Sequence, residues 1–187
     1  MKKIFLMSAF ALLSGFAFAN EPGKTDTGID YNAVELNYDG GTVDSTSLTG
    51  YSLAASYLLT ENIFGTLSYR SFDVSSTTVT FTSFGGGYRV PLSSNTDGFG
   101  TAGYISSGDG STTTTGYYIG GGVTAKLSDQ IQLGGAYNYL YLDQSVNQFT
   151  LNAKYLITNT IFANAGYRYQ TGDNTITTYS IGLGFKF

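Results

Sequence analysis

The 187-residue chain contains no cysteine and no histidine, and it has only 2 prolines. Without cysteine there is no disulfide framework and no thiolate metal site. With histidine also missing, and no paired-carboxylate motif, general acid–base or nucleophilic chemistry has no obvious agent. The chain therefore does not read as an enzyme. The glycine run Gly120-Gly121-Gly122-Val123-Thr124-Ala125-Lys126 does not fit a phosphate loop, which needs Gly-Lys-Ser/Thr opening a helix. Charge is scarce, at 12% of residues with a formal net of −4, which argues against nucleic acid as a partner. No long apolar run comes after the opening segment, so helical insertion into a membrane is excluded. No cofactor and no metal are expected.

The opening segment is the exception. Met1-Lys2-Lys3 is basic, Ile4 to Phe18 is apolar, and Ala17-Phe18-Ala19 is a small-x-small site. Ser8, Ser14 and Gly15 interrupt the apolar stretch, which is shorter than the roughly 20 residues a spanning helix needs. It reads as a secretory signal peptide over residues 1–19, cleaved before Asn20. The rest of the chain divides into a short N-terminal extension, 20–28, and a single domain, 29–187. That domain carries most of the 16 Tyr, 13 Phe and 25 Gly. Such an excess suits aromatic girdles at a membrane interface, close strand packing and a small-residue lumen.

The last nine residues alternate strictly. Tyr179, Ile181, Leu183, Phe185 and Phe187 share one face, and Ser180, Gly182, Gly184 and Lys186 share the other. Period-two alternation marks a strand between an apolar and a polar medium. Reading for the same pattern between turn signals gives ten strands, near 29–39, 48–59, 63–72, 79–90, 97–107, 113–127, 131–142, 146–157, 161–170 and 176–187. Strand five is ambiguous, because either Phe99 and Ile105 or Ala102 and Tyr104 could face outward. Most segments reach the ~9–11 residues a tilted strand needs to cross a bilayer. Tight turns at Thr60-Glu61-Asn62, Pro91 to Thr96, Ser128-Asp129-Gln130 and Thr158-Asn159-Thr160 alternate with Gly-, Asp-, Ser- and Thr-rich connections. Tyr57-Leu-Leu-Thr-Glu-Asn-Ile-Phe64 returns as Tyr155-Leu-Ile-Thr-Asn-Thr-Ile-Phe162, with a looser copy at Lys126 to Ile131. Hairpin repetition or turn chemistry alone would produce that likeness. A solenoid would show a strict short repeat, and an open sheet would have edges to protect. The expected fold is all-β: a closed antiparallel transmembrane up-and-down barrel of ten strands, with eight as the alternative.

The basic residues test that expectation. Arg70, Arg89, Lys126, Lys154, Arg168 and Lys186 each neighbour residues assigned to the lipid face, so all six point into the lumen. A lipid-facing Arg or Lys near the midplane would cost roughly 2–4 kcal/mol. Glu35 is the one carboxylate placed with them, while Asp39, Asp44, Asp73, Asp109, Asp143 and Asp173 are read as an acidic outer rim. Those aspartates lack a ligand-spacing motif and read as solvated turns. Two readings of the lumen cluster stay open. In one, Glu35 bridges Arg70 or Arg168, each two strands away and about 10 Å distant at ~4.8 Å per strand. In the other, the cations line a narrow anion-preferring pathway, left open by the small lumen residues Gly50, Ser52, Ala54, Gly85, Gly87, Gly120, Gly122, Gly134, Ala136, Gly182 and Gly184.

The polar residue, glycine and paired hydrophobics at Ser180, Gly182, Phe185 and Phe187 resemble the carboxy-terminal assembly signal of Gram-negative outer-membrane barrels. With the signal peptide and the strand pattern, the chain resembles the small porin-like outer-membrane β-barrel proteins of about 190 residues in the OmpA/OmpX-like superfamily. The resemblance covers nearly the whole chain. It implies an outer-membrane location with both termini periplasmic, contact with membrane lipid and lipopolysaccharide, insertion by the barrel-assembly machinery, and a monomer. The role it implies is structural or that of a minor channel. The alternative is a surface adhesion protein acting through its Ser/Thr/Asp-rich segments at 73–83 and 108–116, which would protrude and bind a partner by strand addition.

Overall fold

The computed structural model describes residues 27–187. The expected signal peptide, 1–19, and most of the extension, 20–28, lie outside the described residues. The wall is built from β1 (Ala33–Val43), β2 (Thr46–Leu58), β3 (Ile63–Val74), β4 (Thr77–Ser93), β5 (Thr96–Gly108), β6 (Thr113–Lys126), β7 (Ile131–Tyr141), β8 (Ser145–Leu156), β9 (Ile161–Thr171) and β10 (Thr175–Lys186). Each pairs antiparallel with its chain neighbour, and β1 pairs with β10 from Ala33↔Lys186 to Val43↔Ile176. The sheet is a closed barrel of ten strands, and the eight-strand alternative is excluded. Closure leaves no strand edge, which a span through hydrocarbon requires.

Several strands run a few residues further at the distal end than expected, β1 to Val43 and β3 to Val74 among them, and two other departures have a local cause. The first strand begins at Ala33, not residue 29, because residues 27–32 leave the wall and turn into the lumen. β4 continues to Ser93 through an irregularity between Pro91 and Ser93, so the turn expected over Pro91 to Thr96 shrinks to Ser94-Asn95.

Both ends of the barrel are closed by short connections. At the end carrying the chain termini, three turns share one hydrogen-bond pattern. The hydroxyls of Thr60, Ser128 and Thr158 accept from the amides of Ile63, Ile131 and Ile161 at 3.1, 3.1 and 2.9 Å. Leu59, Leu127 and Ile157 donate back to the same three residues' carbonyls at 2.8–2.9 Å. The repeated Tyr57–Phe64 and Tyr155–Phe162 segments thus build the same turn. At the opposite, distal end the chain reverses at Asp44-Ser45, both with positive φ, and around Ser75, also positive. Asp109 accepts from the amides of Thr112 and Ser111 at 2.8 and 3.0 Å, and these bonds hold its carboxyl below the usual range. Segment 73–83 does not protrude as free strands. It is a tight hairpin whose Val79 and Phe81 face the lumen, and from Thr80 onward β4 is paired on both sides. Segment 108–116 is likewise a short turn followed by paired wall.

Alternation along each strand sorts the side chains. Leu36, Leu53, Leu67, Ile119, Leu151, Ile181 and Leu183 form an exposed apolar band. Toward the distal end it carries a tyrosine girdle in contact across strands, with Tyr117–Tyr141, Tyr167–Tyr179 and Tyr51–Tyr69 centroids at 5.1, 5.3 and 6.3 Å. Toward the terminal end Phe187 stacks on Tyr57 at 6.4 Å. An apolar band between aromatic girdles is the exterior a membrane-spanning barrel presents to lipid. On strand five the ambiguity resolves with Asp97, Phe99, Thr101 and Ile105 buried inward and Ala102 and Tyr104 outward.

The lumen glycines do not leave space. Several support an aromatic ring from another strand. A Cβ on Gly87 would lie 2.3 Å from the Phe64 ring, on Gly184 2.1 Å from Phe162, on Gly122 2.7 Å from Phe99, and on Gly85 2.3 Å from the Tyr118 hydroxyl. Those inward aromatics fill the room that the small residues alone had suggested. Close packing makes such sockets intolerant of added atoms. Gly87→Ala is therefore expected to destabilise the folded barrel by about 1–3 kcal/mol. Gly40→Ala, where nothing lies within 4 Å, is expected to be neutral. Heat-modifiability of the two variants on cold SDS gels checks the contrast.

Candidate functional site: the lumen

Residues 27–32 close the terminal end from within. Alternation continues past the strand, so Thr27, Ile29 and Tyr31 are buried at 2%, 0% and 1% exposure. Ile29 and Tyr31 pack with Phe64, Phe99 and Ala136, and the Tyr31 ring lies 4.8 Å from that of Phe64. Asn32 ties the segment to the wall: its side-chain oxygen accepts from the Leu58 amide at 2.8 Å, and its carbonyl accepts from Phe187. Asp30 pairs with Lys186. A parity signal in the sequence could have found this plug. Ile29 and Tyr31 are apolar on the face that Glu35 occupies, whereas Val34, Leu36 and Tyr38 are apolar on the other.

Directly behind the plug, Arg89 bonds Asp97 at 3.2 Å and donates from Nε to the Glu61 carbonyl at 2.9 Å. Its guanidinium lies 5.2 Å from the Tyr31 ring, and the hydroxyls of Thr27 and Tyr31 turn toward the same Asp97 carboxylate. Lys126 is half-buried and pairs with Asp129 of the neighbouring turn at 3.1 Å.

Deeper, Glu35 does not bridge Arg70 or Arg168. Its Oε1 accepts from Lys154 Nζ at 2.5 Å and its Oε2 from Asn164 at 3.0 Å, with the Lys154 ammonium 4.8 Å from the Phe162 ring. The physical reason is the pair of glycines beside it. Gly184, Glu35's register partner, gives its place to the Phe162 ring, and the Lys154 ammonium lies over that ring, within reach of the carboxylate; Gly182 gives its place to Asn37. Asp39 is a second correction. It is fully buried in the lumen, not on the outer rim; its carboxylate makes no hydrogen bond among the described residues, and its charge acts on Arg70, which lies 5.9 Å from the Phe72 ring. With Asp97, three strand carboxylates face inward where one was expected. The interior is charged but largely compensated.

Arg168 lies at mid-depth and is 3% exposed. A small cavity beside it is lined by Glu35, Asn37, Thr150, Thr178 and Ser180 and holds about 10 Å³, close to the room for one water. Toward the distal end the lumen turns apolar again. Val43, Leu48, Phe72, Val74, Val79, Phe81 and Ile176 form one cluster, and Ile105, Tyr118, Leu140, Leu142 and Val146 another. Among the described residues no group of acidic side chains is placed to hold a metal ion. Of the expected assembly-signal positions, Ser180 and Gly182 face the lumen, while Phe185 and Phe187 are exposed on the lipid face at 51% and 61%.

Residues 4–156 match the model of the outer membrane protein beta-barrel domain family. Among solved structures the chain is similar to the β domain of the Bordetella autotransporter BrkA, at 10% identity and a TM-score of 0.56, covering 84% of this chain and 100% of that one. It is also similar to the N-terminal β-barrel domain of Pseudomonas aeruginosa OprF, at 21% identity and TM-score 0.40, covering 84% and 98%. A KdgM porin matches at 14% identity and TM-score 0.46, covering 82% and 99%. A comparison with curated proteins finds no match. At these identities the likeness is one of fold.

The Glu35–Lys154 pair is deeply buried, at 4% and 3% side-chain exposure. Removing one partner of such a pair strands the other charge. Glu35→Gln is expected to cost about 3–5 kcal/mol, read as a lower unfolding midpoint in urea. Pairing it with Lys154→Met is expected to recover most of the loss.

Proposed function

This chain belongs to the outer membrane protein beta-barrel domain family, and from that premise we propose that it is a structural component of the Gram-negative outer membrane with a sealed lumen. One observation carries the reading: apolar clusters, with the hydrogen-bonded Gln148–Gln170 pair beside them, crowd both ends of the lumen, over a middle whose cations, Arg168 apart, lie against carboxylates. A hydrated ion has no continuous polar route through such an interior. A minor anion-preferring channel is the weaker reading, supported by the cations that lie beneath a plug of only a few residues.

Both termini then lie on the periplasmic side, and the acidic distal turns at Asp44, Asp73, Asp109, Asp143 and Asp173 face outward. The exposed band and its tyrosine girdle contact lipid and lipopolysaccharide. Ser180, Gly182, Phe185 and Phe187 serve as the signal read by the barrel-assembly machinery, after residues 1–19 have been removed during export. The barrel acts as a monomer, with no catalytic step and no nucleic-acid partner. Adhesion is the less favoured alternative, since the short distal turns and doubly paired walls offer little edge for strand addition.

Recording from planar bilayers tests the proposal. The refolded mature barrel is expected to insert without stable conductance. Discrete anion-selective steps that shrink in Arg70→Ala or Arg168→Ala would overturn it in favour of the channel.

A further inference from the structure

Among the described residues the lumen charges do not balance. Six cations project into the barrel: Arg70, Arg89, Lys126, Lys154, Arg168 and Lys186. Five carboxylates meet them, from Asp39, Asp97, Asp129, Glu35 and Asp30. Four of the cations are in ion pairs and the Asp39 charge acts on Arg70, whereas among the described residues Arg168 has no carboxylate within 4.0 Å. Among the described residues it makes no ion pair, and its Nε has no hydrogen-bond partner. A guanidinium does not shed its proton, so burial does not remove the charge. An isolated buried charge is strongly unfavourable unless something of opposite sign joins it.

Its lateral neighbours lack partners too. Thr150 on β8 and Thr178 on β10 are the direct register partners of Arg168 on β9. Their hydroxyls are buried, at 1% and 2% residue exposure, and neither makes a hydrogen bond. All three side chains border the small mid-depth cavity. The Glu35 carboxylate at its edge is already engaged by Lys154 and Asn164.

The geometry points to a buried site for one monovalent halide, with chloride held by the Arg168 guanidinium and the Thr150 and Thr178 hydroxyls. The hydroxyls can donate, and the guanidinium supplies the charge that makes such bonds strong. A water there would satisfy the hydroxyls and leave the cation uncompensated. A metal cation would meet Arg168; a chloride ion is only slightly larger than the water the cavity admits, whereas a sulfate, phosphate or acidic sugar far exceeds it. The site does not depend on whether the barrel conducts.

The test uses the mature protein folded in zwitterionic detergent, heated in sodium chloride or in sodium gluconate at one ionic strength, with the folded fraction read on cold SDS gels. Chloride at ten times its dissociation constant is expected to raise the midpoint by about 3–6 °C over gluconate, and the rise saturates. Arg168→Gln is expected to abolish the difference. Should that variant not fold, Thr178→Val keeps the charge and removes one donor, and is expected to raise the half-saturating chloride about tenfold. Equal midpoints in the two salts for the native chain would overturn the site. So would a chloride dependence unchanged in Thr178→Val.

Discussion

Everything in this molecule depends on backbone closure in a medium without water. A strand in hydrocarbon cannot leave amides unpaired, so β1 must meet β10 and the sheet must enclose a volume. The enclosed volume then sets a second problem. Alternation sends every other side chain inward, and at ten strands those side chains must fill the interior or leave it to water. Here they fill it. Phe64, Phe99, Tyr118 and Phe162 lie over glycines on other strands, and the glycine excess is the complement of the aromatic excess.

Filling the lumen makes its charges expensive, which explains their arrangement. Lys154 and Glu35 meet across β9 and β10, Arg89 meets Asp97 beneath the plug, and the Asp39 charge acts on Arg70. None of these pairs is adjacent in sequence, and none crosses only one strand interface except Arg89–Asp97. The Glu35–Lys154 pair, which connects distant strands, fixes the cross-section of the barrel as well as its charge, because either partner alone would be stranded in the buried interior.

Much of this is legible in the sequence. Period-two alternation locates all ten strands, and the turn residues at Thr60, Ser128 and Thr158 mark three of the reversals. The inward placement of six cations comes from their lipid-facing neighbours. The pairing among lumen charges is not legible in the same way. Counting strands assigns Glu35 to arginines, but the Phe162 ring seated on Gly184 carries Lys154 to the carboxylate instead. Asp39 and Asp97 belong inside because each shares parity with an inward residue, Glu35 in one case and Phe99 in the other. For Asp39, its acidity and its nearness to the expected end of the first strand argue misleadingly for the rim. Ile29 and Tyr31 extend the alternation of β1, and periodicity alone does not distinguish a wall from a segment folded behind it.

The sealed interior is the central claim, and a cysteine-free chain makes it directly measurable. Ser52 is fully buried at mid-lumen, while Thr112 lies on the distal rim. A single cysteine at each position can be challenged with a charged, membrane-impermeant thiol reagent in folded and in denatured protein. The expected result is rapid labelling of Thr112→Cys in both states, and of Ser52→Cys only after denaturation. Rapid labelling of folded Ser52→Cys would show a water-filled path through the barrel and contradict the account.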